Sequence, residues 1–160
     1  MKNTVDIDIQ IDPAYHDPKV VILTERNTQD IENIVCAIEN CMDSGYPMVP
    51  VRKGNVLEFV SQREIIRIYY ENRRLLVHTD RGRFIARKTL GEMELMLNKS
   101  RFQRISRSEI INLKKVARFD FNKSGAILVT FDDGASTWVA RRYVSSIQRA
   151  LESIQGGTRS

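Results

Sequence analysis

From Val5 to Asp12 apolar and polar residues alternate strictly, Val5, Ile7, Ile9 and Ile11 against Asp6, Asp8, Gln10 and Asp12. This is the pattern of a strand with one face buried and one face wet, and it predicts a first strand over Thr4–Asp12. Pro13 and Pro18 bracket a break, after which Lys19–Thr24, with the apolar run Val20–Leu23, reads as a second strand. From Thr28 onward Ile31, Ile34, Val35 and Ile38 recur at helical spacing, with Thr28 placed as N-cap and the Gly45–Pro47 stretch as a stop. The result is a β-β-α extension over residues 1–47, short enough that it is expected to dock on something else.

After Pro50 the texture changes to short strands with turn residues at close intervals. Val51–Lys53 and Val56–Ser61 form a hairpin about Gly54 and Asn55, and Ile65–Tyr70 and Arg74–Thr79 flank a turn at Glu71, Asn72 and Arg73. Another turn, Asp80–Gly82, leads into Arg83–Ala86. Thr89 and Glu92 have the spacing of a capping box for a short helix carrying Leu90, Met93, Met96 and Leu97. Gly91 costs that helix about 1 kcal/mol relative to alanine, so packing must hold it. In Phe102–Ser106 apolar residues alternate with arginine and serine, and the phase then breaks, which predicts a turn at Ser106, Arg107 and Ser108. Ile110–Leu113 runs on toward Phe119, and strands Ala126–Phe131 and Ser136–Ala140 follow, set apart by Lys123–Gly125 and Asp132–Gly134. A last helix from about Arg142 puts Val144, Ile147 and Leu151 on one face before a tail at residues 156–160. The expected class is mainly β (α+β), with small antiparallel sheets and short helices over residues 48–155.

With 42% hydrophobic and 28% charged residues, the 160-residue chain has the composition of a folded globular protein. No stretch approaches the roughly 20 apolar residues of a membrane span, and the first twelve residues are acidic rather than a basic leader, so a cytoplasmic location is expected. Cys36 and Cys41, without a disulfide framework, read as reduced core or flank residues, and two histidines, His16 and His78, make no quorum for a metal. No nucleophile elbow or glycine-rich phosphate loop is present, so neither catalysis, a cofactor nor a small-molecule substrate is expected. The net charge of +5 hides a division: residues 1–50 carry three lysines and arginines against nine acids, net −6, and the rest carry 22 against 11, net +11. A polyanion is the natural partner of the second part. The turn at Ser106–Ser108 offers a guanidinium fork and two hydroxyls, a group suited to phosphates and guanine edges.

Four blocks in order give this pattern a family likeness. They are Ile65-Ile66-Arg67-Ile68-Tyr69-Tyr70-Glu71; Arg87-Lys88-Thr89-Leu90; Phe102–Leu113; and Asp132-Asp133-Gly134 followed by Ala140-Arg141-Arg142-Tyr143. From about Val51 to Leu151 the chain resembles the LytTR family of bacterial DNA-binding domains, with two departures: Ser106 where the motif often has histidine, and Ala140 where serine usually precedes the final arginines. The resemblance implies small antiparallel sheets in layers and a transcriptional regulator that enters major grooves with loops. It implies base reading by Asn72, Arg73, Ser106, Arg107, Arg141 and Arg142, where a good bidentate contact discriminates by roughly 1–3 kcal/mol. Arg74, Lys88, Arg104, Ser108, Lys114 and Lys115 are then the phosphate candidates, and about six such contacts predict a salt slope near −5. Asn112 belongs to the motif but is expected to satisfy backbone groups. Promoter direct repeats, a homodimer, and a regulatory membrane protein acting on the extension follow by analogy with stand-alone members. The competing reading is a protein-interaction or RNA-binding module, with Tyr69, Tyr70, Phe84 and Phe102 as stacking platforms if exposed.

Overall fold

The computed structural model describes residues 5–16, 18–43 and 45–156. The chain divides into two compact units, Met1–Ala37 and Ile38–Ser160. In the first, the two expected strands do not form: described residues 5–12 and 18–24 make no ladder, and Ile7, Ile9, Ile11 and Leu23 stand largely exposed. Thr4 lies outside the described residues. Alternation specifies which face a strand would bury, but the strand exists only if a neighbour supplies backbone partners and apolar cover, and the described residues of this unit supply neither. Helix α1 (Gln29–Asp43) forms where the spacing placed it, and the Glu32 N–H reaches Thr28 O at 3.1 Å in its first turn. Cys36 and Cys41 are exposed, so they belong to a flank and not to a core.

The remaining strands are β1 (Val49–Lys53), β2 (Val56–Val60), β3 (Ile65–Glu71), β4 (Arg74–Thr79), β5 (Gly82–Ala86), β6 (Phe102–Ser106), β7 (Glu109–Asn112), β8 (Val116–Phe121), β9 (Ile127–Phe131) and β10 (Ser136–Trp138). Helix α2 (Leu90–Met96) lies between β5 and β6, and α3 (Val144–Gly156) ends the described chain. Antiparallel pairing produces a seven-stranded sheet in the order β2-β1-β5-β4-β3-β7-β6 and a three-stranded sheet in the order β10-β9-β8. The expected run from Ile110 toward Phe119 is divided. A 3₁₀ turn at Leu113–Lys115 ends β7, and β8 joins the second sheet. Asn112 builds that break: fully buried, its Oδ1 accepts from the Lys114 N–H at 3.0 Å and its Nδ2 donates to Ile65 O at 2.7 Å.

Two cores lie on opposite faces of the central strands. Ile65, Ile68, Val77, Phe84 and Ile110 pack with Leu90 and Met93 of α2, capped by Thr89, whose Oγ1 accepts the Glu92 N–H at 3.2 Å. Ile66, Ile105 and Ile111 pack on the other side with Ile127, Val129 and Phe131 of the small sheet and Ile147 of α3. The middle strands β3 and β7 are therefore covered on both faces, which explains apolar pairs such as Ile65-Ile66 and Ile110-Ile111.

Candidate nucleic-acid interface

Three turns meet at one end of the seven-stranded sheet. The β3–β4 hairpin closes with Asn72 and Arg73, both exposed and both in the left-handed region at φ 50° and 64°. The β6–β7 turn carries Arg107 and Ser108, and the Tyr70 N–H donates to Ser108 O at 3.0 Å, tying this turn to the end of β3. The third is the 3₁₀ turn Arg141–Tyr143, docked because the Ala140 N–H donates to Ile105 O at 2.8 Å. A register irregularity between Arg104 and Ser106 makes that docking possible by turning Ile105 into the core. Ala140, one of the two departures from the family pattern, thus contributes through its backbone. The Tyr70 hydroxyl accepts the Leu90 N–H at 3.2 Å and brings the Arg87-Lys88 approach to α2 to the same end.

Of the base-reading candidates, Asn72, Arg73, Arg107, Arg141 and Arg142 are exposed there, with Arg142 lying over the Tyr143 ring at 5.8 Å. Ser106 is half-buried, and its Oγ accepts the Ser108 N–H at 3.1 Å and lies 3.3 Å from Ser108 Oγ, so this hydroxyl shapes the turn. Among the phosphate candidates, Arg74, Lys88 and Ser108 share this end. Arg104 has another occupation: it holds the turn carbonyls and Glu94. Lys114 and Lys115 lie at the opposite end, because β7 runs from Glu109 beside Tyr69 to Ile111 beside Arg67 and onward past the start of β3. Lys115 Nζ donates to Asp80 Oδ2 at 2.8 Å, in the β4–β5 turn. At about 3.3 Å per residue, the seven residues of β3 separate these lysines from the three turns by roughly 20 Å. The sequence motif is continuous across Phe102–Leu113, but the strand it contains carries its two ends apart.

Sequence reasoning missed the polar contacts beneath the site. Arg67 donates to Glu109 Oε1 at 3.1 Å, Glu109 Oε2 accepts from Thr137 Oγ1 at 2.7 Å, and the guanidinium lies 4.3 Å from the Tyr69 ring and 5.6 Å from that of Phe131. A strand of the large sheet is thus joined to β10 of the small one directly below the turn at Arg107. His78 Nε2 meets Asp133 Oδ2 at 3.1 Å, and burial pushes its pKa below the ordinary 6.5, with Arg67 and Arg83 acting in the same sense and Asp133 opposing them. The only sequence signal for the first network was an arginine inside an otherwise apolar strand. Phe84 and Phe102 are core residues, so they offer no stacking face to single-stranded RNA. Among the described residues no helix is long and apolar enough to cross a membrane.

The family model for the LytTr DNA-binding domain matches residues 55–152. The CO-responsive transcriptional regulator RcoM of Rhodospirillum rubrum is 34% identical over 91 residues, 57% of this chain and 38% of the relative. The transcriptional regulatory protein LytR of Staphylococcus aureus is 27% identical over 123 residues, 75% of this chain and 49% of the relative. The chain therefore spans half or less of the length of these two relatives. An uncharacterized HTH-type transcriptional regulator of Staphylococcus aureus is matched over most of both chains, 27% identical over 136 residues, 85% of this chain and 86% of the relative. Among solved structures, the LytTr DNA-binding domain of a putative methyl-accepting/DNA response regulator from Bacillus cereus superposes with a TM-score of 0.63 at 20% identity, covering 67% of this chain and 98% of that one. The layered fold is the same.

Proposed function

Because the chain belongs to the LytTR family of DNA-binding transcriptional regulators, we propose that it reads promoter duplex DNA with the three turns gathered at one end of its large sheet. The observation that carries this is their convergence: two backbone hydrogen bonds, Tyr70 N–H to Ser108 O and Ala140 N–H to Ile105 O, bring three separated sequence blocks into one exposed cationic surface. Asn72 pairs with an adenine edge and Arg73, Arg107 and Arg142 with guanine edges, while Ser106 supports the turn and Arg141 reads or steadies beside it. Arg74, Lys88 and Ser108, joined by Arg87, take phosphates; Arg104 leaves that set because it holds the turn, and Lys114 and Lys115 because they follow the far end of β7. Each copy serves one half of a direct repeat, so two copies sit side by side on the operator. The N-terminal residues 1–47 mediate that pairing, or docking to a regulatory membrane protein, and residues 48–155 carry DNA binding.

Selection of a genomic duplex library by the purified chain, beside an Arg107→Ala, Arg142→Ala double variant, tests the reading. A repeated motif enriched by the parent and lost in the folded variant is the expected result. Retention without a shared motif, or equally by both proteins, would mean that the charge binds DNA without reading it.

A further inference from the structure

We propose that Arg104 and Glu94 form a positioning clamp that sets the β6–β7 turn for base reading. The proposal rests on Arg107 being a reading residue and goes beyond it to what holds Arg107 in place. Arg104 Nε donates to Ser106 O at 3.0 Å, one terminal nitrogen donates to Arg107 O at 2.7 Å, and the other donates to Glu94 Oε2 at 2.8 Å. A guanidinium is a rigid planar fork, so three acceptors around it fix one another's positions. Two of these acceptors are the carbonyls of the residue at the reading tip and its immediate predecessor. The peptide that follows each is held in one orientation, and Arg107 projects from a backbone that does not swing.

The clamp also reaches outside the hairpin. Glu94 lies on α2, which is fixed at the same end of the sheet by the Leu90 N–H to Tyr70 hydroxyl bond, while the Tyr70 N–H holds Ser108 O. The turn is therefore referenced to β3 by its backbone and to α2 through a side chain. The irregularity between Arg104 and Ser106 serves the same purpose: it buries Ile105 and leaves the Arg104 side chain, 22% exposed, lying along the turn. With a carboxylate and two carbonyls around it, this cation has its charge and three of its five N–H donors engaged within the protein. A phosphate would have to compete for them.

The two roles differ in what they do to specificity. Affinities of the full chain and of Arg104→Lys, Arg104→Ala, Glu94→Ala and Arg107→Ala are measured for a duplex enriched by the parent and for a scrambled duplex of equal length. The series spans a range of salt concentrations, well below each protein's melting temperature. The clamp predicts that Arg104→Lys and Arg104→Ala both lower the ratio of enriched to scrambled affinity by roughly tenfold, about one bidentate contact's worth, with the salt slope unchanged. Glu94→Ala, a helix-favourable change at a half-exposed position, lowers the same ratio by about threefold, a smaller loss because the two carbonyl bonds remain. A phosphate role for Arg104 gives a different pattern. Alanine then weakens both duplexes alike and reduces the slope by about one, lysine restores both, and Glu94→Ala leaves the ratio intact; that pattern overturns the proposal. If Arg107→Ala itself leaves the ratio unchanged, the base-reading role of the turn falls and the clamp with it. If Arg107→Ala lowers the ratio while the Arg104 and Glu94 variants do not, the clamp alone falls. Should Arg104→Ala not fold, Arg104→Lys and Glu94→Ala decide the matter.

Discussion

Arg73 occupies a position where a hairpin would be better served by glycine. In a two-residue loop with both residues at positive φ, the pair of lowest cost is asparagine followed by glycine, and here Asn72 is followed by an arginine at φ 64°. A Cβ in that region costs roughly 1–2 kcal/mol. Arg73→Gly is therefore expected to raise the melting temperature by about 2–4 °C, for a gain near 1 kcal/mol in a chain of this size, while DNA affinity falls. Calorimetry and binding of the same sample check both signs, and unchanged affinity would remove Arg73 from the reading set. Asn112 makes the opposite trade. Its buried amide serves two backbone groups, so Asn112→Ala leaves an N–H and a carbonyl unpaired and is expected to cost about 3 kcal/mol in chemical denaturation. The ratio of specific to non-specific DNA affinity in the surviving folded protein should not move.

At the scale of elements, the large and small sheets are held together by buried polar contacts as well as by isoleucine. Removing one partner of the Arg67–Glu109 pair, whose side chains are 13% and 11% exposed, leaves a cation without its counter-charge. Glu109→Ala is expected to destabilise by about 3 kcal/mol, measured by urea denaturation, and a loss under 1 kcal/mol would mean that water reaches Arg67 and replaces the carboxylate. The second link is pH-dependent. The His78 pKa is lowered in the folded chain, so between its folded value and the unfolded value near 6.5 the unfolded chain binds more protons, and stability falls as pH falls through that window. The melting temperature should drop more between pH 7.5 and pH 5.5 for the parent than for His78→Gln; equal drops would place the titration elsewhere. These links mark the limit of what the sequence disclosed. Strands 49–138 were legible because turn residues punctuate them at hairpin spacing, and the loop arginines because they interrupt that pattern. Which strand joins which sheet was not legible. The single break after Asn112 decides it, and the register that sets Arg67 diagonally from Glu109 is a tertiary fact. The alternation at Val5–Ile11 has the period of a strand, but a pattern does not supply a partner, and the described residues there form no ladder.

For the whole molecule, charge and core are divided along the chain in the same place. Among the described residues every buried apolar side chain lies between Val49 and Ile147, and net charge changes from −6 over residues 1–50 to +11 beyond. A fragment of residues 48–155 keeps both cores intact and should unfold cooperatively within a few degrees of the full chain. Losing the acidic segment removes a long-range repulsion from the phosphates, so at low salt the fragment should bind duplex DNA more tightly than the full chain. The gap should narrow as salt rises and the Debye length falls below about 8 Å. Its salt slope should lie near −3, for about three phosphates neutralised by Arg74, Arg87 and Lys88. On a duplex carrying two repeats, the fragment should load one copy at a time where the full chain loads two together, which sedimentation of the complexes resolves. A fragment that fails to fold would make residues 1–47 part of the core, and a fragment that loads pairs as well as the parent would move the pairing surface onto the β-rich unit itself.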